Sequence, residues 1–187
     1  LIGAFAATEA HAGSDLQDLR TTASQADGGF VLNGEQHWIT NAKEAGIFIV
    51  FAKLDGDGMA AFLVPADSAG VTIGRRLMKM SVRASSTCTV TFDGVRLPPE
   101  ALLGGPRMGL DIAMYGLVCG RIGIAAQMLG IAEGALRLAL DYASERYAFG
   151  DRIINYQGVA FPLAQASTEI AAAALMVEDA ASQLSAG

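Results

Sequence analysis

The chain has 187 residues and a formal net charge of −6 at pH 7; 52% of its residues are hydrophobic and 17% are charged. That composition excludes a disordered chain, because ample apolar surface is available to offset ordering entropy, and it argues against a nucleic-acid binder, which carries a basic face. So small a share of charge predicts that some apolar area meets a partner subunit, a cofactor or further polypeptide.

Taken in order, the first segment is apolar and leads into the loop Ala7-Thr8-Glu9-Ala10-His11-Ala12-Gly13-Ser14-Asp15. Small residues, a glycine and hydroxyls let backbone N–H groups approach an anion, although a Gly-Ser-Asp turn is common. His11, Ser14 and Asp15 are too close in sequence to converge as a catalytic triad. Residues 30–32 read as a strand, Asn33-Gly34 as a turn, and 36–40 as a second strand. Trp38 is either a core aromatic or a wall against a planar ligand, with Thr40 two residues on and therefore on the same side.

Residues 47–54 and 59–64 read as strands around the turn Asp55-Gly56-Asp57-Gly58, and Pro65 ends the second. Residues 71–77, 87–92 and 95–97 follow, with Asp93-Gly94 as another turn. About seven strands at this spacing suggest a sandwich or barrel.

After Pro98-Pro99 and Gly104-Gly105-Pro106 the pattern turns helical. A first helix is predicted over 108–147, with Glu133, Arg137, Asp141 and Glu145 as a charged stripe facing water. Gly116, Gly120, Gly123, Gly130 and Gly134 in the same helix suggest close approach of another helix or a ligand. Phe149-Gly150-Asp151 is a stop signal, and a second helix is predicted over 153–184. The fold class expected is α+β: an antiparallel β-barrel or sandwich domain over 1–100, then long antiparallel helices of an incomplete four-helix bundle over 101–187.

No run of 18 uncharged apolar residues occurs, so no membrane span is expected. Cys88 and Cys119 read as small buried apolar residues, and with His11 and His37 they make no metal-ligand spacing. The chain begins at Leu1 inside an apolar segment and ends at Gly187 inside a helical pattern, which reads as a piece of a longer polypeptide.

Five ordered blocks carry a resemblance. They are Thr8-Glu9-x-x-x-Gly13-Ser14-Asp15; Asn33-Gly34-x-x-x-Trp38-Ile39-Thr40-Asn41; Met80-Ser81-Val82-Arg83-Ala84-Ser85-Ser86-Thr87 with Phe92-x-x-Val95-x-Leu97-Pro98; Gly120-Arg121-Ile122-Gly123-Ile124-Ala125-Ala126-Gln127; and Arg146-x-x-Phe149-Gly150-x-x-Ile153-x-x-x-Gln157. In this order they resemble the acyl-CoA dehydrogenase family, its short-chain, butyryl-CoA-like branch above all. The third block resembles the later strands of the family's middle domain.

The resemblance implies FAD as cofactor. Phe5, Ala7 and Thr8 would lie along the flavin ring, and Ser14 after Gly13 would touch the pyrophosphate. Trp38 would shield the ring and Thr40 would bond the N5 edge. Arg146, Phe149 and Gln157 would hold the adenosine-diphosphate half of an FAD bound mainly to a neighbouring subunit. An ion pair of Arg146 with Asp141 or Glu145 is the structural alternative.

The reaction implied is α,β-desaturation of a short- or medium-chain acyl-CoA in fatty acid β-oxidation, with an electron-transfer flavoprotein as acceptor and a homodimer or homotetramer as the assembly. The location implied is bacterial cytoplasm or mitochondrial matrix. No catalytic base is nominated. One branch places it just before the position of Arg121, where this chain has Gly120; the other places it in a later loop, expected beyond Gly187. Glu9 reads as a loop-structuring carboxylate.

Two departures stand out: His11 takes a position commonly proline, and Asp151 precedes Arg152 where a basic or small residue is usual. Other readings are a same-fold oxidase or monooxygenase, and a non-catalytic assembly module. The 187-residue chain alone is expected to be inactive.

Overall fold

The computed structural model describes residues 1–55 and 58–186. The two central residues of the expected turn Asp55-Gly56-Asp57-Gly58 lie outside the described residues. The chain divides into two compact units, Leu1–Tyr115 and Gly116–Gly187.

The first unit holds strands β1 (Gly3–Ala6), β2 (Thr22–Ala26), β3 (Gly29–Thr40), β4 (Ile47–Leu54), β5 (Met59–Pro65), β6 (Val71–Ile73), β7 (Thr87–Leu97) and β8 (Leu102–Leu103). They form one sheet in the order β6-β7-β3-β2-β4-β5-β8, with β1 also on β4. Most pairings are antiparallel. Two are parallel: β1 runs along residues 47–50 of β4, and β2 along Lys53 and Leu54.

These two strands share one edge of β4 and leave Phe51 and Ala52 between them. Gln36 of β3 fills that break, its Nε2 donating to the Phe51 carbonyl at 3.0 Å. A backbone acceptor inside the sheet needs a partner, and this amide supplies it. Among the described residues Gln36 Oε1 has no partner.

The core follows from alternation. Phe48, Phe51, Phe62 and Phe92 are fully buried with Leu32, Ile39, Val50, Val64 and Val90. Phe30 meets Phe62 edge-on at 5.1 Å and Phe48 meets Phe92 at 6.4 Å. Each such side chain contributes about 1.5–3 kcal/mol by leaving water. Cys88 lies in this core, whereas Cys119 is half-buried.

The turns expected at Asn33-Gly34 and Asp93-Gly94 prove to be the two sides of one bulge inside long strands. β3 runs through Asn33-Gly34, and β7 runs through Asp93-Gly94. Their register steps from Leu32↔Val95 to Gly34↔Phe92, and the Asn33 side chain accepts a hydrogen bond from Gly94 N at 2.8 Å. A Cβ on Gly34 would stand 2.5 Å from Thr21 Oγ1 and 2.8 Å from Thr21 Cα, so this glycine serves a close approach. Gly94 has φ +62°. A bulge uses such glycines as readily as a turn does. The expected strand over 71–77 shortens to β6, and residues 80–86 form a loop rather than a strand, with β7 starting at Thr87.

A long helix, α1 (Gly109–Glu145), begins in the first unit and supplies most of the second. There follow β9 (Tyr147–Ala148), β10 (Asp151–Arg152), a single 3₁₀ turn at Ile153–Asn155, and α2 (Gln157–Ala186). The expected stop signal is thus a hairpin. Phe149 at φ +52° and Gly150 at φ +87° make its two-residue loop, the left-handed pair of a type I′ turn. α2 starts four residues later than expected, after the 3₁₀ turn, and accommodates Pro162.

Glu133, Arg137, Asp141 and Glu145 are all exposed. So are Ile124, Ile131, Leu138, Phe161, Leu175 and Met176. By length and composition both helices are apolar enough to cross a membrane, with mean hydropathy of 1.5 and 1.3 over their most apolar windows. The expectation of no span rested on an uninterrupted uncharged run; the hydropathy average tolerates a single charge such as Arg121.

Candidate functional site

The end of β1 and the bulge in β3 meet through one backbone bond. His37 N donates to the Thr8 carbonyl at 2.7 Å. It is free to do so because the β3–β7 register skips between Gln36 and Ile39, leaving His37 and Trp38 outside the ladder. Trp38 has φ +56°, a conformation costing a bulky residue about 1–3 kcal/mol. Its indole is 53% exposed, and Thr40 is exposed two residues later on the same face. The core-aromatic alternative for Trp38 is thereby excluded.

Beyond Thr40 the chain is fixed by Asn41 N donating to Ser86 O at 2.8 Å and Lys43 N donating to Ser86 Oγ at 3.1 Å. Ser86 Oγ in turn donates to Glu44.

On β1, Phe5 stands at the surface with its ring 4.8 Å from that of Phe51. Thr8 is half-buried, and Ala7, at 3% exposure, belongs to the core. Gly13 and Ser14 are exposed in the following loop. A Cβ on Gly13 would meet no protein atom within 4 Å, and its φ is not left-handed, so nothing within this chain demands glycine there.

Glu9 is 4% exposed and takes three donors: Arg20 N at 2.8 Å, Thr21 N at 2.6 Å and Thr21 Oγ1 at 2.6 Å. All three stabilise the ionised carboxylate and fold the loop back on itself. Its oxygens are occupied by structure. His11 Nε2 lies 3.5 Å from Glu9 Oε2 and 3.1 Å from the Asp18 carbonyl, strapping the same loop. Asp15 caps the short turn at Leu16–Asp18 through Gln17 N at 3.1 Å.

In the second unit Arg146, Phe149 and Gln157 are all exposed on the β9–β10 hairpin and its flanks. Phe149 is 100% exposed at the hairpin tip. Tyr156 OH donates to the Ala148 carbonyl at 2.8 Å and pins that tip. Asp151 accepts from Asn155 Nδ2 at 2.9 Å and Arg152 N at 2.7 Å; the Asn155 bond, then the backbone bond, holds its carboxyl below the usual aspartate range. The Arg152 guanidinium lies 5.9 Å over the Tyr147 ring. Arg146 forms no ion pair among the described residues, which leaves its guanidinium available to an external anion.

Sequence reasoning passed over Gln36 and His37. The signal was present: two polar residues directly before an exposed tryptophan, where strand alternation calls for at least one apolar position. Among the described residues no group of three or more His, Cys, Asp or Glu could hold a metal ion.

Two family models match, "Acyl-CoA dehydrogenase, middle domain" over residues 4–95 and "Acyl-CoA dehydrogenase, C-terminal domain" over residues 107–187. The rat mitochondrial short/branched chain specific acyl-CoA dehydrogenase is 43% identical over 190 residues, covering 100% of this chain and 44% of that protein. Among solved structures, butyryl-CoA dehydrogenase from Megasphaera elsdenii superposes with a TM-score of 0.90 at 39% identity, over 95% of this chain and 48% of that one. An acyl-CoA dehydrogenase from Bacillus anthracis complexed with FAD gives 0.86 at 38% identity, over 93% of this chain and 30% of that one. The chain spans about half the length of the curated relatives it matches.

Proposed function

The chain belongs to the acyl-CoA dehydrogenase family, and from that premise we propose that it is the flavin- and acyl-CoA-binding portion of an enzyme that desaturates the α,β bond of a short- or medium-chain acyl-CoA. Residues 1–100 form the flavin-binding unit and 101–187 the first helices of the C-terminal helical domain.

The observation that carries this reading is the bulge in β3. A half-exposed indole held at φ +56°, with Thr40 exposed beside it and Thr8 tied in next to it, is a costly arrangement that adds nothing to the core. It fits the face of a flat tricyclic ring. Gly13 fits as well: with no neighbour to require it, its missing side chain suits the close passage of a phosphate beside Ser14.

FAD, when bound, supplies the hydride acceptor for the β-hydrogen. The chain's own residues bind and orient. Thr8 and Thr40 offer hydroxyls to the ring's polar edges, while Trp38 and Phe5 exclude water from its surface. Gly13 and Ser14 take the pyrophosphate; Ala7, its side chain buried, lies along the ring through its backbone. Arg146, Phe149 and Gln157 present a charge-assisted donor, an aromatic and an amide to the adenosine half of an FAD held by a neighbouring copy.

The base that removes the α-proton comes from outside these 187 residues, since Glu9 is committed to its three donors and Gly120 carries no acid. The apolar faces of α1 and α2 pack on further helices of the same protein and its copies, in a dimer or tetramer. An electron-transfer flavoprotein accepts the electrons. The compartment is bacterial cytoplasm or mitochondrial matrix.

The test is to reconstitute the full-length parent with FAD and add butyryl-CoA and its longer homologues anaerobically. Bleaching of the flavin absorbance by at least one acyl-CoA is expected, and no bleaching at any chain length overturns the reading. Trp38→Ala and Thr40→Val are each expected to weaken FAD retention.

A further inference from the structure

Three observations converge on His37. Its Nε2 lies 2.9 Å from Glu35 Oε1. The other Glu35 oxygen accepts from Thr91 Oγ1 of β7 at 3.2 Å. Its ring packs against the Trp38 indole at 5.4 Å, tilted by 51°. Thr91, Glu35, His37 and Trp38 thus form a chain of contacts from the β7 ladder to the residue that stands outside it.

We infer that His37 is a positioning residue for Trp38, clamped by Glu35 so that its imidazole fixes the indole and places a switchable positive charge beside it. The inference deepens the flavin-slot reading and rests on it for its functional sense.

The chemistry follows from which nitrogen is held. A carboxylate at Nε2 favours a proton on that nitrogen, so the Glu35 contact holds the ring in its charged and its neutral form alike. Deprotonation therefore changes the charge next to the indole without releasing the ring. Protonated, the ring presents an imidazolium to the indole, an attractive contact for an aromatic ring; neutral, it presents an uncharged one. The charged groups facing His37 are Glu35 on its own strand and Glu9, His11 and Arg20 across a cleft of about 240 Å³. Glu9 is bound by its own three donors, which leaves Glu35 as the carboxylate that holds the ring.

Trp38 is the only tryptophan of the sequence, so intrinsic emission of the 187-residue chain reports this site alone. The experiment titrates that emission across roughly pH 5 to 8 in the chain as given and in His37→Gln, Glu35→Gln and His11→Gln. A sigmoidal change is expected in the unmodified chain and in His11→Gln. It is expected to be lost in His37→Gln and reduced in Glu35→Gln. A flat profile in the unmodified chain, or a step that survives His37→Gln, overturns the inference. Reconstituting the full-length parent with FAD tests the slot separately. A full-length parent that retains no FAD, with the emission of the chain still following His37, leaves the coupling standing and removes the flavin reading.

Discussion

The β unit and the helical unit treat their apolar residues in opposite ways. In the β unit they face one another: Phe48, Phe62 and Phe92 are sealed in one core cluster, and Phe51 is buried on the opposite face of β4 beneath Phe5. In α1 and α2 the long apolar side chains stand in solvent, and Gly120, Gly123, Gly130 and Gly134 have no atom near where a Cβ would be. A strand pattern closes on itself through ladder partners within about a hundred residues. A helix needs a second helix to cover its stripe, and two are too few to surround a bundle core. The difference teaches that the β unit's stability is intrinsic, while the helical unit's depends on packing outside this chain.

That contrast is open to attack. The largest effect is expected from Phe62→Ala: a fully buried ring meeting Phe30 should cost about 3–5 kcal/mol in denaturant unfolding of the β unit. Leu138→Ala on α1 should change the stability of the same chain by no more than about 0.5 kcal/mol. Equal losses at the two positions would break the comparison.

Glu9→Ala should follow, since it strands the Arg20 and Thr21 donors; a loss of about 1–3 kcal/mol is expected by thermal or denaturant melting. Gly34→Ala should cost about 1–3 kcal/mol, because the new methyl meets Thr21 backbone as well as its side chain.

The smallest effect concerns pH. The Asp151 carboxyl is held below its unfolded value by Asn155 and the Arg152 amide. Its stabilisation of the hairpin is thus fully present above the ordinary aspartate range and lost as pH falls through the lowered value. The protection of the Tyr147 and Arg152 amides, measured relative to their intrinsic exchange rates, should fall on acidification below about pH 4, and Asp151→Asn should flatten that dependence.

Much of this was legible in the residues, and the misses have physical causes. The switch from strands to helices near residue 100 shows as a change of period and a cluster of Pro and Gly, and α1 begins at Gly109. The residues proposed to contact a flavin stand out only through the ordered blocks, and Trp38 at the surface of a bulge agrees with a ligand wall more than with a core ring. Asn33-Gly34 and Asp93-Gly94 misled because a turn and a bulge demand the same left-handed backbone; only the Gly34–Thr21 contact separates them. The parallel pairings of β1 and β2 were invisible, because nothing local records which distant edge a strand will join. Phe149-Gly150 was read as punctuation, although an aromatic at φ +52° in a two-residue loop is a means of displaying a side chain.

β1 is attached by four residue pairs, from Gly3↔Ile47 to Ala6↔Val50, across a long stretch of intervening chain. The strand is laddered on one side only, by β4, so it opens at lower cost than strands held on both sides. Amides of residues 3–6 should exchange faster than those of the β4 positions that β5 also holds. Phe5 and the backbone leading to Thr8 therefore lie on the seam of the sheet that opens first, where any molecule that bound would have the most to gain by holding it shut.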